Sequence, residues 1–519
     1  MYAHVCMTRE SGILMTRERG EHMERASGVL MAVSSLPNAY GIGTFGQEAY
    51  RFVDFLARTK QRYWQVLPLT TTSYGDSPYQ SFSAAAGNPY FIDLDALKKL
   101  GYLTEHDFDD LNFGFDPARV DYGTLFVSHR HLLERAFVRF ASDTPSDFKA
   151  FCAKQKEWLE PYAEFMALKE TFGLRAFWEW PRQYQRRGQK SQEYAARLQD
   201  KLLYHKMTQY FFFKQWEKLK DYANEHGILI IGDLPIYVSR DSVEMWAQPE
   251  LFKIDEEGNP ITVAGTPPDH FSSTGQYWGN PIYNWENMKK NHYAWWAWRI
   301  RLSFELYDVL RIDHFRGFEA YWEVPFGAPD AQGGAWTKGP DVDLFNELKR
   351  QLGELPIIAE DLGLMTQELI DMREKTGFPG MKVLQCGFNG DHDAGDLPHN
   401  YKPNTVAYVG THDNQTGRGW YENTATPRER EQVDLYLHRA EDEPVSEALG
   451  RGIAASVSNT CIHTMQDLLG LGDESRMNTP ATLGGNWCWR MQRGAITRHT
   501  EDYLRTITET YFRVPKGDK

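Results

Sequence analysis

Short, continuous apolar runs recur along the chain, and stretches of mixed polarity separate most of them. Runs that are apolar throughout, without strict alternation, are typical of parallel strands covered on both faces. Eight runs predict strands, at residues 29–33, 64–69, 228–232, 309–313, 356–360, 383–388, 405–410 and 460–465.

The segments between these runs show helical periodicity. Residues 47–60 place Ala49, Phe52, Val53 and Leu56 on one stripe, which predicts an amphipathic helix. Similar patterns predict helices within residues 201–226 and 341–352. Alternating strands and helices indicate an α/β fold, and eight strands favour a (β/α)₈ barrel (a TIM barrel) over an open sheet.

The chain is longer than a minimal barrel requires, and two connections account for the excess. Large insertions follow the second and third predicted strands: a mostly helical one at about 96–200, and one rich in Pro, Gly and Trp at 235–300. We expect a catalytic barrel over 23–515, with no C-terminal β-domain. Residues 1–22 are polar and methionine-rich, and we expect a disordered N-terminal extension.

Composition excludes several classes of protein. A net charge of −14 argues against binding to nucleic acid or to an anionic membrane surface. The five cysteines are scattered and form no C-x-x-C motif, which indicates free thiols in a reducing compartment. We found neither a membrane-spanning run nor a signal-peptide core, and we expect a cytoplasmic protein. The 14% aromatic content fits a large core or a groove that stacks on sugars.

Two short motifs resemble cofactor-binding sequences but lack residues that such sites need. "GIGTFG" at 41–46 matches a dinucleotide-binding pattern, but no acid follows the next predicted strand to bind a ribose hydroxyl. "GDHDAGD" at 390–396 lacks the ligand series and the closing glutamate of a calcium loop. We therefore expect neither a nucleotide nor a metal site.

Carboxylates follow the apolar runs repeatedly. Asp313, Glu360 and Asp413 end or follow the fourth, fifth and seventh predicted strands, and Asp233 follows the third. The C-terminal strand ends of a (β/α)₈ barrel share one face, where active sites are built. We therefore expect these four side chains to surround one barrel mouth.

Clustered acids of this kind suit glycoside cleavage. That reaction needs one carboxylate as nucleophile or base and one carboxylic acid that protonates the leaving oxygen. Arg311 lies two residues before Asp313, so both side chains point to the same side of the strand. Its guanidinium favours an ionised Asp313, as a nucleophile requires.

Each residue alone also has a structural interpretation. An aspartate at a strand end is commonly a helix cap or a salt-bridge partner, and we expect Asp361 to be of that kind. His314 and His412 are equally compatible with packed, hydrogen-bonded histidines. The joint placement of the three carboxylates is what favours a catalytic site.

Longer segments narrow the interpretation. They are "SSLPNAYGIGTFG" (34–46), "GDSPYQSFSAAAGNPYFID" (75–93), "GDLPIYVSRDSVEMW" (232–246), "GTPPDHFSSTGQYWGNPIYNW" (265–285), "RIDHFRGF" (311–318), "AEDLG" (359–363) and "THDN" (411–414). With acids after strands four, five and seven, the chain resembles the α-amylase superfamily. More narrowly, it resembles 4-α-glucanotransferase (amylomaltase or disproportionating enzyme, glycoside hydrolase family 77) from about residue 23 to about 514.

This resemblance implies roles and partners. Asp313 would be the nucleophile of a retaining double displacement, Glu360 the acid/base, and Asp413 the residue that holds the distorted donor sugar. Further substrate contacts are implied for Arg311, His412, Tyr79, Ser77, Asp233, Phe271, Trp278, Asn414 and His314. The family needs no metal or organic cofactor. Its donors and acceptors are α-1,4-glucans such as maltooligosaccharides, amylose and glycogen.

The chain departs from the family pattern near the predicted eighth strand. Ala481 stands where glycine is expected, and His463 and Thr464 stand where an Ile-Pro pair is expected. These changes leave the carboxylates in place and bear on the rim of the cleft. Two alternatives to a transferase remain: a retaining α-glucan hydrolase, and a non-catalytic glycan-binding protein, which would be expected to lack a carboxylate.

Overall fold

The computed structural model describes residues 23–73, 75–268, 272–391 and 394–515. Strands within these residues are β1 (Ala26–Leu30), β2 (Tyr63–Gln65), β3 (Leu229–Leu234), β4 (Thr262–Thr266), β5 (Gln276–Pro281), β6 (Val309–Ile312), β7 (Ala320–Pro325), β8 (Ala335–Lys338), β9 (Ile357–Ala359), β10 (Gly380–Val383), β11 (Thr405–Tyr408) and β12 (Thr460–Thr464). The predicted extension at residues 1–22 lies outside the described residues.

The α-helices are α1 (Gln47–Arg58), α2 (Leu94–Lys99), α3 (Tyr122–Ser142), α4 (Phe148–Lys154), α5 (Lys156–Thr171), α6 (Gln189–Ala195), α7 (Gln199–Glu225), α8 (Val243–Ala247), α9 (Trp285–Lys290), α10 (Ala294–Leu306), α11 (Asp341–Leu352), α12 (Gln367–Thr376), α13 (Gly417–Asn423), α14 (Pro427–Tyr436), α15 (Val445–Ala455), α16 (Met465–Leu468) and α17 (Arg498–Thr510). In the part of the chain that is described, none is long and apolar enough to cross a membrane.

Eight strands close into a parallel barrel, in the order β1, β2, β3, β6, β9, β10, β11, β12. The predicted (β/α)₈ barrel is confirmed. Its interior near the middle is filled by large apolar side chains such as Ile231, Ile358, Met381 and Ile462. The barrel is therefore a packed core, and its chemistry is confined to the strand ends.

The sixth predicted strand was placed wrongly. The strand is Gly380–Val383, and residues 384–388 form a 3-10 helix instead of extending it. Leu384 and Phe388 are both buried, so the segment remains apolar although it is helical. A continuous apolar run does not by itself distinguish a strand from a buried helical turn.

Helices α2 to α7 lie between β2 and β3, and α7 is the longest of them. The α7 side chain of Trp216 is buried and donates its indole N–H to the carbonyl of Leu306, 2.9 Å away, at the end of α10. Phe45, just before α1, packs against Phe212 and Trp216 with ring centroids 5.1 and 5.0 Å apart. These contacts fix α7 against the outer layer of the barrel.

A second sheet accompanies the barrel and was not predicted. Its four antiparallel strands run in the order β5, β4, β7, β8, and join residues 262–281 to residues 320–338. Trp278 on β5 contacts His314, directly after the fourth barrel strand, so this sheet borders the C-terminal face of the barrel. Strands β7 and β8 lie beyond the predicted insertion at 235–300, and none of the four strands has the long continuous apolar run from which the barrel strands were predicted.

Candidate active site

Four acids lie at the C-terminal ends of the barrel strands β3, β6, β9 and β11, of which β3, β6 and β9 are adjacent. Asp233 is the second-last residue of β3, Asp313 follows β6, Glu360 follows β9, and Asp413 lies five residues after β11. The amide of Asp313 donates to the carbonyl of Leu234 at 3.0 Å. Strands β6, β9 and β11 are the fourth, fifth and seventh of the barrel, so the fold brings together the acids that the sequence predicted there.

Arg311 organises two of these acids. Its Nη1 donates to both carboxylate oxygens of Asp233, at 2.7 and 2.6 Å, and lies 3.1 Å from Oδ1 of Asp313. The guanidinium is buried, and strand alternation directs Arg311 and Asp313 to the same side of β6. This contact is made by Oδ1 of Asp313.

Glu360 is held by the main chain. Its Oε2 accepts from the amide of His314 at 2.7 Å, and its Oε1 accepts from the amide of Leu362 at 2.9 Å. Burial raises the pKa of Glu360, while Arg311 and the two amides act in the opposite direction. The net shift of the Glu360 pKa is upward, and burial is its largest cause.

Asp313 is also perturbed. Burial raises the pKa of Asp313 well above its usual range, the charge on Arg311 opposes that rise, and Glu360 adds to it. Two neighbouring carboxyl groups in one buried site retain a proton between them more readily than isolated acids do. Arg311 favours the ionised form of Asp313, as predicted from the sequence, but burial and Glu360 act against it.

Tyr79 connects Asp233 to His412. The hydroxyl of Tyr79 donates to Oδ2 of Asp233 at 2.9 Å and lies 3.0 Å from Nε2 of His412, and the two rings stack with centroids 5.3 Å apart. Burial lowers the pKa of His412, which favours a neutral imidazole. Because Tyr79 gives its only proton to Asp233, His412 must donate from Nε2. Trp487 packs against both rings.

Asp413 is clamped by the loop that follows β12. Its Oδ1 accepts from Nδ2 of Asn478 at 2.6 Å, and its carbonyl accepts from Nη2 of Arg476 at 2.7 Å. The amide of Asn478 also donates to the carbonyl of His412 at 3.1 Å. Sequence reasoning missed Asn478 and Arg476 as individual residues; the only signal was the segment "RMNTPATLGGNW" that contains them.

The other predicted substrate-contact residues differ in what they contact. Trp278 meets His314 edge-on, with ring centroids 4.8 Å apart, and burial lowers the pKa of His314 to about 4. Ser77 accepts the amide of Tyr79 at 3.2 Å and so shapes that loop. The Oδ1 of Asn414 accepts from Thr411 at 2.8 Å and closes its own turn. Phe271 lies outside the described residues.

Asp361 serves a structural purpose, as expected. It lies 3.3 Å from Nη1 of Arg373 and accepts the amide of Met381 at 2.8 Å. Of the departures from the family pattern, His463 is buried beside Cys461, and burial lowers its pKa to about 3. Ala481 has φ of 61°, in the left-handed region that favours glycine.

Similarity to known proteins decides between families that share this arrangement of acids. A family model described as 4-alpha-glucanotransferase matches residues 31–497. The chain belongs to this family. The 4-alpha-glucanotransferase of Streptococcus pneumoniae is 54% identical over 95% of this chain and 98% of its own length. That of Thermus thermophilus is 45% identical over 95% of this chain and 100% of its own length.

Solved structures of the 4-alpha-glucanotransferase family agree. The amylomaltase of Streptococcus agalactiae, solved in complex with acarbose, matches with a TM-score of 0.92 and 48% identity over 95% of this chain and all of that one. The amylomaltase of Corynebacterium glutamicum, at 17% identity and a TM-score of 0.74, covers 93% of this chain and 75% of its own and shares the fold. The predictions of the family, the barrel and a glucan-transferring enzyme are confirmed.

Proposed function

We propose that the chain cleaves α-1,4 linkages in maltooligosaccharides, amylose or glycogen and transfers the glucanosyl segment to the 4-hydroxyl of glucose or another α-1,4-glucan. One observation carries the assignment of roles: Asp313, Glu360 and Asp413 surround one barrel mouth, and Arg311 lies against Asp313. Family membership supplies the reaction class. The roles of individual residues are our proposal.

In the first step, Oδ2 of Asp313 attacks the anomeric carbon while Glu360 gives its proton to the glycosidic oxygen. The bond between that carbon and oxygen breaks, the leaving glucan departs with a free 4-hydroxyl, and a covalent β-glucosyl ester forms on Asp313. Arg311 holds Oδ1 at 3.1 Å and thereby fixes the direction of attack.

We propose an initial state in which Asp313 and Glu360 hold one proton between them. Burial raises the pKa of both Asp313 and Glu360, which favours a proton shared within the pair. We assign the charge to Asp313, whose Oδ1 lies 3.1 Å from Arg311, and the proton to Glu360, although Arg311 and two amides also lower the pKa of Glu360. This distribution supplies a nucleophile and an acid at the same time.

In the second step, Glu360 accepts the proton of the incoming 4-hydroxyl as that oxygen attacks the anomeric carbon and displaces Asp313. The product keeps the α configuration because the carbon is inverted twice. The donor sugar would be held by Asp413, His412, Tyr79 and Asp233, the last of which Tyr79 contacts. Neither step requires a metal or an organic cofactor.

Water competes with the acceptor sugar at roughly 55 M, so a transferase must favour the sugar by binding and orientation. We assign this task to the insertion at 235–300, whose loop at 265–285 would cover the cleft. Trp278 and Tyr277 lie half-buried on β5 and offer apolar faces to acceptor sugars. Phe271, outside the described residues, is proposed for the same role.

The competing function is hydrolysis by the same carboxylates. Incubation with maltotriose alone distinguishes the two. We expect glucose and a ladder of longer maltooligosaccharides, with total reducing ends nearly constant. A steady rise in reducing ends without products longer than maltotriose would mark the chain as a hydrolase.

We also propose a cytoplasmic location and a single catalytic unit over 23–515. The proposed location is supported by the cysteines, since Cys152, Cys386, Cys461 and Cys488 are free thiols. The helical segment 96–200 is proposed as a subdomain that supports the rim of the cleft.

A further inference from the structure

An aromatic ring is displayed on the edge of the second sheet. Trp336 on β8 is 39% exposed, although it lies opposite Trp322 on β7 and meets that ring edge-on at 5.4 Å. The indole N–H of Trp322 donates to the carbonyl of Ala331 at 2.8 Å. Trp336 is therefore held in one orientation by a ring that is itself fixed.

A buried arginine supports the same ring. The guanidinium carbon of Arg316 lies 4.3 Å from the ring centre of Trp336, and its Nη1 donates to the carbonyl of Leu364 at 2.7 Å. Its Nε is buried without a hydrogen-bond partner among the described residues. One cation thus joins the sheet edge to the loop that follows Glu360.

Two further apolar side chains are exposed on that loop. Leu364 is 60% exposed and Met365 is 42% exposed. We call Trp336, Leu364 and Met365 the Trp336 platform. Arg316 links the ring of Trp336 to the main chain of Leu364, and apolar side chains exposed near one another commonly mark a binding surface.

The platform is built on the same chain segments as the catalytic cleft. Arg316 lies two residues after His314, whose amide holds Glu360 and whose ring contacts Trp278. Leu364 lies four residues after Glu360. The segments that position the proposed acid, and that contact Trp278 through His314, therefore also build the platform.

We propose that the Trp336 platform binds the distal glucose units of a long leaving or accepting glucan, beyond the units at Trp278. The inference rests on the proposed function, because Glu360 defines the leaving side. The apolar face of a pyranose ring suits a fixed indole, and Arg316 limits the entropy that Trp336 loses on binding. The site thereby sets a preference for acceptor length.

The test uses α-maltotriosyl fluoride as donor, because fluoride leaves the acceptor side empty. Acceptors from glucose to maltoheptaose are compared at equal donor concentration in the wild-type chain, Trp336→Ala, Trp336→Phe and Phe512→Ala. Phe512 is an exposed aromatic residue that lies outside the platform, after α17, and serves as the control.

We expect Trp336→Ala to reduce kcat/KM for maltoheptaose about five- to tenfold, which corresponds to the loss of one stacked ring. The kcat/KM for glucose should stay within about twofold of the wild type. Trp336→Phe should recover most of the loss, and Phe512→Ala should match the wild type. Equal losses for both acceptors would assign Trp336 a structural role and overturn the proposal.

Unchanged kinetics with every acceptor would also overturn it and would leave the exposed patch for a protein partner. A wild-type chain that releases fluoride only to water, whatever the acceptor, would refute the transferase function itself. In that case, binding of maltoheptaose and maltotriose to Asp313→Asn, with and without Trp336→Ala, still tests the platform. A chain-length preference that persists without Trp336 would count against it.

Discussion

The guanidinium of Arg311 lies 3.1 Å from Oδ1 of Asp313, inside a barrel mouth where burial raises the pKa of that carboxyl group. The two effects oppose each other. Arg311 orients one oxygen and favours the charge, while burial and Glu360 disfavour it. As a consequence, ionised Asp313 lowers the stability of the folded protein. This cost can be measured as a change in Tm when Asp313 is replaced.

Asp313→Asn should abolish turnover without lowering thermal stability. A carboxyl whose folded pKa is raised destabilises the folded state once the pH exceeds its unfolded pKa, and the amide removes that penalty. We expect transfer from maltotriose to fall at least about a thousandfold, and Tm at neutral pH to stay equal or rise. Asp361→Asn, at the ion pair with Arg373, should keep turnover within a few-fold. Substantial transfer by Asp313→Asn, free of wild-type contamination, would remove Asp313 from its role.

Glu360→Gln should separate acid catalysis from nucleophilic attack. Transfer from maltotriose should fall by about 10² to 10⁴, because the leaving oxygen is no longer protonated. Formation of the glucosyl enzyme from α-glucosyl fluoride should be spared, because fluoride leaves with little protonation. If both donors suffer equally, Glu360 is not the acid.

We also expect Glu360→Gln to change the pH dependence of the reaction rate. Burial raises the pKa of Glu360, so the wild-type rate should fall with rising pH only above the ordinary range of a glutamate. This basic limb should disappear in Glu360→Gln with the fluoride donor, while the acidic limb, which requires ionised Asp313, should remain. Initial rates across the pH range provide the measurement.

Trp278→Ala should shift the chain from transfer toward hydrolysis. Trp278 packs edge-on against His314, beside the amide that holds Glu360, and its removal opens the acceptor side to water. We expect a higher acceptor KM or a larger share of new reducing ends from maltotriose, with fluoride release from α-glucosyl fluoride largely retained. Phe271→Ala is expected to act in the same direction, and Trp278→Phe serves as the conservative control. Unchanged product ratios in both alanine variants would refute this assignment.

Asn478→Ala should impair the donor site through Asp413. Loss of the 2.6 Å bond to Oδ1 of Asp413 removes one hydrogen bond to a charged group, worth about 1.5 to 3 kcal/mol, and should lower kcat about tenfold to a hundredfold. Asn478→Asp should be worse at neutral pH and recover partly as the pH falls, because the new carboxylate repels Asp413 until it is protonated. Thr482→Ala, in the same loop, is the control. A loss that is independent of pH in Asn478→Asp would indicate a merely structural role.

Glu170→Gln should weaken the helical insertion. Glu170 on α5 lies 3.2 Å from Arg130 on α3 and 3.4 and 3.1 Å from Lys201 and His205 on α7. Burial would raise its pKa, but these three partners outweigh that effect and lower the pKa of Glu170 to about 2. A lowered carboxyl pKa contributes stability that is present above the unfolded value, near 4.5, and is lost as the pH falls toward 2.

We therefore expect Glu170→Gln to lose about 1 to 3 kcal/mol of unfolding free energy at pH 7, and to show less additional loss than the wild type between pH 4.5 and 2. Glu134→Gln removes an exposed partner of the same arginine and should change stability by less than about 1 kcal/mol. If denaturant titrations give the same loss of unfolding free energy for both variants, the burial of Glu170 does not strengthen its ion pairs.

The sequence by itself determined the barrel and the positions of its acids. Continuous apolar runs report burial on both faces, and a fixed strand order places residues such as Asp313 and Glu360 at one end of the barrel whatever their surroundings. The alternation of side chains along a strand likewise placed Arg311 beside Asp313 before any coordinates were considered.

The tertiary structure alone decided what surrounds those acids. Asn478 and Arg476 reach Asp413 across 63 to 65 residues of chain, and Trp336 and Arg316 meet between a strand and a short helical turn. Local periodicity carries no information about such pairings, because they depend on how separate loops pack. The raised pKa values of Asp313 and Glu360 depend on burial for the same reason, since desolvation is a property of the assembled site and not of the residues that form it.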